Sequence, residues 1–301
     1  MNKNPTLEAI FHAERFPVFA EHNDNWIFEP DTTEFSMVNA WWLCNLAQLS
    51  YYDEVDAKSI IEKMGFTLEA YIDDPALGDS KRSLIKDTQA YILSTDNFVV
   101  LAFRGTEPDK PKDILADTFA FTQEFSGKGK VFKGFYDCLS GECLEKITTV
   151  LNSDSVKDKP LWITGHSLGA ALSNIAGGYF DFKGLYNFGS PRVGDNDYVA
   201  YFAGKNVHRF TNCADVVTHI PLKSLHPYHH FGTHHYLDSN SNYHISATDE
   251  FMSKDKFNSK MHYLFQQLPL PFITGKPLTR SLADHSIISY EYGIWKTLKN
   301  Q

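Results

Sequence analysis

The chain has 301 residues, 43% hydrophobic and 22% charged, with a formal net charge of −9. That is ample apolar material for a sizeable core, so one domain over 1–301 is expected; an acidic chain without a Lys/Arg cluster argues against nucleic acid and anionic membranes as partners. No apolar run approaches the roughly 18 residues that span a bilayer, and the N-terminal residues lack the continuous apolar stretch of a secretory leader, which makes a cytoplasmic protein the default.

In chain order, "FSMVNAWWLCNLAQLSYY" (35–52) places Trp41, Trp42, Leu46 and Leu49 at helical spacing, which reads as a core helix. "AKSIIEKMGF" predicts a second helix ending at Gly65. "TQAYILST" and "NFVVLAF" read as two strands joined by a tight turn at "TDN". "FYDCLSGECLEKITTVLNS" is largely helical, and "LWIT" is a short buried strand. Strand "GLYNF", turn "GSPRVGD", helix "NDYVAYFAGK" and strand "VHRFTN" follow. Strands alternating with helices indicate an α/β protein with a mostly parallel central sheet and helices on both faces. From about 222 to 262 the sequence is polar and histidine-rich; a loop-rich excursion over the end of the sheet is expected. Cys44, Cys138, Cys143 and Cys213 have neither metal-binding nor redox spacing and read as free, mostly buried thiols.

The segment "LWITGHSLGAALSN" (161–174) carries Gly165-x-Ser167-x-Gly169 between a predicted strand and a predicted helix. In that context the pattern is a nucleophile elbow, a sharp turn that presents the serine hydroxyl to a substrate. Alone it is equally a glycine-rich connection. Hydrolysis through Ser167 needs donors for the developing oxyanion: the amide of Leu168, next after the nucleophile, and one from the loop after an earlier central strand. "NFVVLAF" followed by "RGTE" nominates Thr106 for the second, with Arg104 as a structural partner. Asp215, just past the strand "VHRFTN", is the candidate acid; Asp195 and Asp197 stand where helix capping is the simpler role. For the base, spacing leaves the cluster His226–His235, His244, His262 and His285 open.

Four segments, "VVLAFRGTE", "ITGHSLGAALSNIA", "YNFGSPRVGD" and "RFTNCADVVTHIPL", together resemble the fungal-type (class 3) triacylglycerol lipases of the α/β-hydrolase fold. The resemblance covers most of 35–222 and resumes near the C-terminus. It implies Ser167 as nucleophile, Asp215 as acid, His285 in "ADHSIISYEY" as base, and Thr106 with Leu168 as the oxyanion hole. It also implies a small polar lid near 108–117, structural roles for Ser190 and Arg192, and a lipid or other ester substrate. One departure is Phe132 in "VFKGF", where the family usually has histidine; it touches local packing rather than the triad. The implied reaction is acyl transfer to Ser167 and then to water, with no cofactor and no metal. The histidine-rich "LHPYHHFGTHHYL" is broken by Pro227 and Gly232 and shows no regular ligand spacing, so a packed loop beside the site is expected rather than a metal centre. Phospholipase A1, monoacylglycerol lipase and aryl-ester (feruloyl-type) esterase share the triad, and a non-catalytic hydrolase-fold binding protein is the rival from another class. Oligomeric state is not legible.

Overall fold

The computed structural model describes residues 12–74, 88–105, 121–221, 227–267 and 280–301. The lid segment 108–117, Thr106 and His226 lie outside the described residues.

An eight-stranded sheet runs β1 (Thr67–Asp74), β2 (Thr88–Ser94), β3 (Val99–Phe103), β6 (Leu161–His166), β7 (Gly184–Phe188), β8 (Val207–Asn212), β9 (Thr233–Leu237) and β10 (Tyr243–His244), in that spatial order. The pairings from β3 through β9 are parallel; β1–β2, β2–β3 and β9–β10 are antiparallel. Two short strands, β4 (Thr122–Glu124) and β5 (Lys130–Phe132), form a separate ribbon. The central strands are buried along their whole length because both faces are covered, which is why they read as continuous apolar runs instead of alternating ones.

Successive side chains of a strand point to opposite faces, and the two cores divide accordingly. Trp162, Tyr186, Phe188 and Phe210 face α1 (Met37–Leu49) and the C-terminal α9 (Ile287–Lys299). Ile163, Leu185 and Val207 face the helices of the opposite layer, α3 (Lys133–Cys138), α4 (Gly141–Leu151), α5 (Leu168–Tyr179) and α6 (Asn196–Tyr201). Helix α1 is buried almost all round, so its polar residues need internal partners. Asn45 Oδ1 accepts from Phe19 N (2.6 Å), Gln48 Nε2 donates to Phe16 O (2.9 Å), and Trp42 Nε1 donates to Trp26 O (2.7 Å). These bonds pin the irregular N-terminal segment across the helix. The second predicted helix, α2 (Glu54–Lys63), starts at Asp53, whose carboxylate caps Asp56 N (2.8 Å).

Several expectations change. "FYDCLSGECLEKITTVLNS" forms two helices, α3 and α4, broken at Leu139–Ser140. Strand β1, not anticipated, extends the sheet beyond the predicted hairpin. The stretch from 222 to 262 is not a loop-rich excursion where it is described. It holds β9, β10 and the start of a long helix, α7 (Asp249–Gln267). Its histidines lie partly in a strand paired to β8, where period-two alternation sends His235 and Leu237 to one face. For α7 a local signal existed: Thr248 Oγ1 accepts from Phe251 N (3.2 Å), and Asp249 and Glu250 stand in the first turn.

Candidate active site

The elbow forms where β6 ends and α5 begins. Ser167 has φ 59° and ψ −122°, a strained conformation for a residue with a side chain. The two motif glycines make the crossing possible. A Cβ on Gly165 would stand 2.3 Å from Gly169 O, and one on Gly169 would stand 2.2 Å from Phe103 O. Strand, helix and the end of β3 thus meet closer than any larger residue allows.

The structure brings together three of the nominated side chains. Ser167 Oγ is 2.8 Å from His285 Nε2, and His285 Nδ1 is 3.0 Å from each oxygen of Asp215. His285 closes α8 (Arg280–His285). Asp215 sits in the turn after β8, held by Asp215 N donating to Asn212 O (2.9 Å). Its carboxylate is fully buried and also accepts from Val217 N (2.9 Å) and the Tyr290 hydroxyl (2.6 Å). Burial alone would raise its pKa, but the His285 charge and the hydrogen bonds from His285 and Tyr290 outweigh burial and hold the carboxyl below its ordinary value.

Leu168 opens α5, so its amide is among the first four helical N–H groups that have no intrahelical acceptor and face the positive end of the helix. Thr106 is outside the described residues, but its neighbour is not: a methyl group on Gly105 would stand 3.2 Å from Ser167 Cβ.

Other nominated residues take structural places. Asp195 caps α6 by accepting from Tyr198 N (3.0 Å). Arg192 Nη1 donates to His219 O and to Pro221 O (2.6 Å), clamping the chain downstream of Asp215. Ser190 Oγ accepts from Asn174 Nδ2 (3.0 Å). Arg104 Nη1 donates to Gln89 Oε1. Phe132 packs edge-on against Phe135 at 4.5 Å. The four cysteines are buried thiols. Among the described residues no cluster of His, Cys, Asp and Glu has metal-binding geometry. Of the imidazoles expected to flank the site in a packed loop, His234 and His235 belong to the β8–β9 pairing: His235 Nε2 meets His208 Nδ1 (2.9 Å), and His234 Nε2 meets Thr211 Oγ1 (2.6 Å).

Sequence reasoning missed the residues behind the site. His166 lies tilted beside His285 (centroids 4.8 Å), takes a hydrogen bond from the Tyr51 hydroxyl at Nδ1 (2.7 Å) and donates from Nε2 to His285 O (2.6 Å). That tautomer follows from its partners. Burial, with His285 beside it, lowers its pKa to about 3, so it stays neutral and ties the backbone of residue 285 to the elbow strand. Tyr290 was hidden on the apolar face of α9, between Ile287 and Ile294. The only hint was that a buried tyrosine hydroxyl requires a partner.

With this geometry in view, the family model "Lipase (class 3)" matches residues 100–225. The secreted mono- and diacylglycerol lipase A of Penicillium cyclopium is 29% identical over 236 residues, 72% of this chain and 75% of that one. The lipase of Rhizomucor miehei is 29% identical over 218 residues, 64% of this chain and 59% of the relative. The solved mono- and diacylglycerol lipase of Aspergillus oryzae superposes with a TM-score of 0.55 at 21% identity, over 72% of this chain and 82% of that one, a likeness of fold. These relatives correct the expectation of a cytoplasmic protein, since those from Penicillium cyclopium, Penicillium camembertii and Fusarium solani are all described as secreted. An export signal is an address read by a receptor and forms no part of a hydrolase fold, so composition and surface charge carry no information about it. No helix among the described residues is long and apolar enough to cross a membrane. Sheet order, elbow and family match agree: the chain reads as a serine hydrolase of the lipase type, similar over most of its length to the class 3 lipases, the fungal lipases.

Proposed function

We propose that the chain works as one α/β-hydrolase unit that cleaves acylglycerol esters through Ser167, His285 and Asp215, with the amides of Leu168 and Thr106 as the oxyanion hole. The observation that carries this reading is the uninterrupted line from Ser167 Oγ through the His285 ring to the buried Asp215 carboxylate. His285 Nε2 takes the Ser167 proton as Oγ attacks the ester carbonyl, and the Asp215 carboxylate stabilises the imidazolium that results. The oxyanion is held by these two amides; one such donor typically contributes about 10²–10³ in kcat. His285 then protonates the departing alcohol, water enters, and the same steps in reverse order of roles release the fatty acid. No step calls on a metal or an organic cofactor.

The substrate is a lipid ester, presented at a lipid–water interface. Mono- and diacylglycerols are the preferred class in this reading, following what the Penicillium relative's name states of that protein. The test is hydrolysis of p-nitrophenyl esters from acetate to palmitate, followed by emulsified mono-, di- and triacylglycerols, with wild type beside Ser167→Ala. Wild-type turnover with the alanine variant reduced by ~10⁴ or more is expected. Equal rates in the two proteins remove Ser167 as nucleophile. Faster release of fatty acid from triacylglycerol than from diacylglycerol overturns the stated preference and leaves the triad intact.

A further inference from the structure

The proposed base is the last residue of α8, so the position of His285 depends on what holds that helix in place. Next to His285 lies Asp284, 3% exposed, a charge that would be expelled from such a site unless paired. Its Oδ2 accepts from Ala214 N at 2.9 Å, and its Oδ1 is 2.8 Å from Arg280 Nε, one helical turn earlier. Ala214 directly precedes Asp215. Two neighbouring residues of α8, 284 and 285, therefore bind two neighbouring residues of the turn after β8, 214 and 215, as adjacent rungs. Arg280 Nη2 further reaches Ser239 O (3.4 Å), beyond the end of β9. Ser289 Oγ fixes the other side of the helix by donating to Ala283 O (2.7 Å).

We infer that Asp284, backed by Arg280, is a positioning residue that locks the base-bearing helix to the acid-bearing turn and so sets the His285–Asp215 geometry. The inference rests on the roles proposed above for Asp215 and His285. Asp284 touches neither substrate nor reacting atoms. Without its acceptor, Ala214 N loses its buried partner, and the second rung has to carry the register alone. Burial raises the Asp284 carboxyl above its ordinary value, and Arg280 is the counter-charge that works against that shift; its guanidinium reaches both the helix and the turn after β9.

The experiment compares kcat and KM on p-nitrophenyl butyrate for wild type, Asp284→Ala, Asp284→Asn and His285→Ala, each shown to be folded by near-ultraviolet circular dichroism. Asp284→Ala is expected to lose ~10- to ~100-fold in kcat with KM changed less than about twofold, the signature of a misplaced base rather than a damaged binding groove. Asp284→Asn keeps an acceptor for Ala214 N and is expected to recover kcat to within about fivefold of wild type. Wild-type kcat in folded Asp284→Ala overturns the inference, and so does an asparagine variant as slow as the alanine one. Should Asp284→Ala not fold, Arg280→Gln replaces it: kcat is expected to fall a few-fold at constant KM, and an unchanged kcat overturns the proposal. Full activity in His285→Ala would instead sink the proposed triad, which keeps the two failures apart.

Discussion

Two groups of buried imidazoles share one sheet, and they differ in what closes each end. At the elbow, the His285 ring lies between a hydroxyl and a carboxylate, at 2.8 Å and 3.0 Å. Across β8 and β9, the Tyr243 hydroxyl donates to His235 Nδ1 (2.8 Å), His235 Nε2 donates to His208 Nδ1 (2.9 Å), and His208 Nε2 donates to Asn206 Oδ1 (2.7 Å). The second chain is fully satisfied with every ring neutral, and among the described residues no carboxylate hydrogen-bonds to it to stabilise an imidazolium. Burial lowers His208 to about 4 and His235 to about 3, the latter with His208 adding to the effect. Phe35 and Phe210 cover His235 at 4.2 and 4.7 Å, so water is also kept away. Burial and hydrogen bonding alone therefore make a structural histidine. A base requires an anion on its far side and an acidic proton on its near side.

The comparison can be broken most sharply by removing one ring from each group. His285→Ala should cut kcat by ~10⁴ or more. His235→Ala should leave kcat nearly unchanged and lower stability by about 2–4 kcal/mol, since it opens a cavity and strands two buried polar partners. Steady-state kinetics beside urea denaturation reads both; a large kcat loss in folded His235→Ala would erase the distinction. A smaller effect is expected at the anion. Tyr290→Phe removes the hydroxyl that donates to Asp215 at 2.6 Å and accepts from Asn212 N at 3.0 Å. A kcat loss of about tenfold at unchanged KM is expected, the equivalent of one hydrogen bond to a charged group. A rate equal to wild type would mean that His285 and Val217 hold the carboxylate sufficiently by themselves.

The smallest effect is on stability against pH. His208, His234 and His235 are depressed to about 4, 3 and 3, mainly by burial, from an ordinary 6.5. Folded rings stay neutral while unfolded ones take up protons, so stability is retained above pH 6.5 and lost as pH falls from there towards about 4. Glu291, buried on α9 against α1, is shifted the other way: burial raises its carboxyl from 4.5 to about 8. The unfolded chain releases this proton first, so stability falls as pH rises from 4.5 to about 8, by at most about 1.4 kcal/mol per unit. Together they place the maximum near pH 6.5, where the histidine contribution ends and the glutamate continues. Melting temperatures across pH 4–9 should trace that peak, and Glu291→Gln should flatten the alkaline side. An unchanged alkaline slope in that variant would assign it to another group.

Much of this was legible along the chain because its causes are local. The glycines of the elbow, the apolar strand before it and the slim helix after it act within fourteen residues of "LWITGHSLGAALSN". The central strands announced themselves as unbroken apolar runs, since both of their faces are buried. β1 and β9 were missed for the opposite reason. Their residues are mixed in polarity, and only the neighbours they pair with make them strands.

The chain order of the residues decided that Ser167 stands at a strained turn, that its amide neighbour Leu168 opens a helix, and that Asp215 follows the end of a strand. Spacing along the chain could not single out the proposed base, because His285 meets Ser167 across 118 residues and sequence distance carries no record of separation in space. The family resemblance pointed to it; packing brings it there. Only the folded sheet, with α8 tied to the turn after β8 and α9 supplying Tyr290 from behind, gives that imidazole a carboxylate on one nitrogen and a hydroxyl on the other. The same folding gives His208 and His235 only each other, an amide and a phenol, and the chemistry of a histidine is set by those partners.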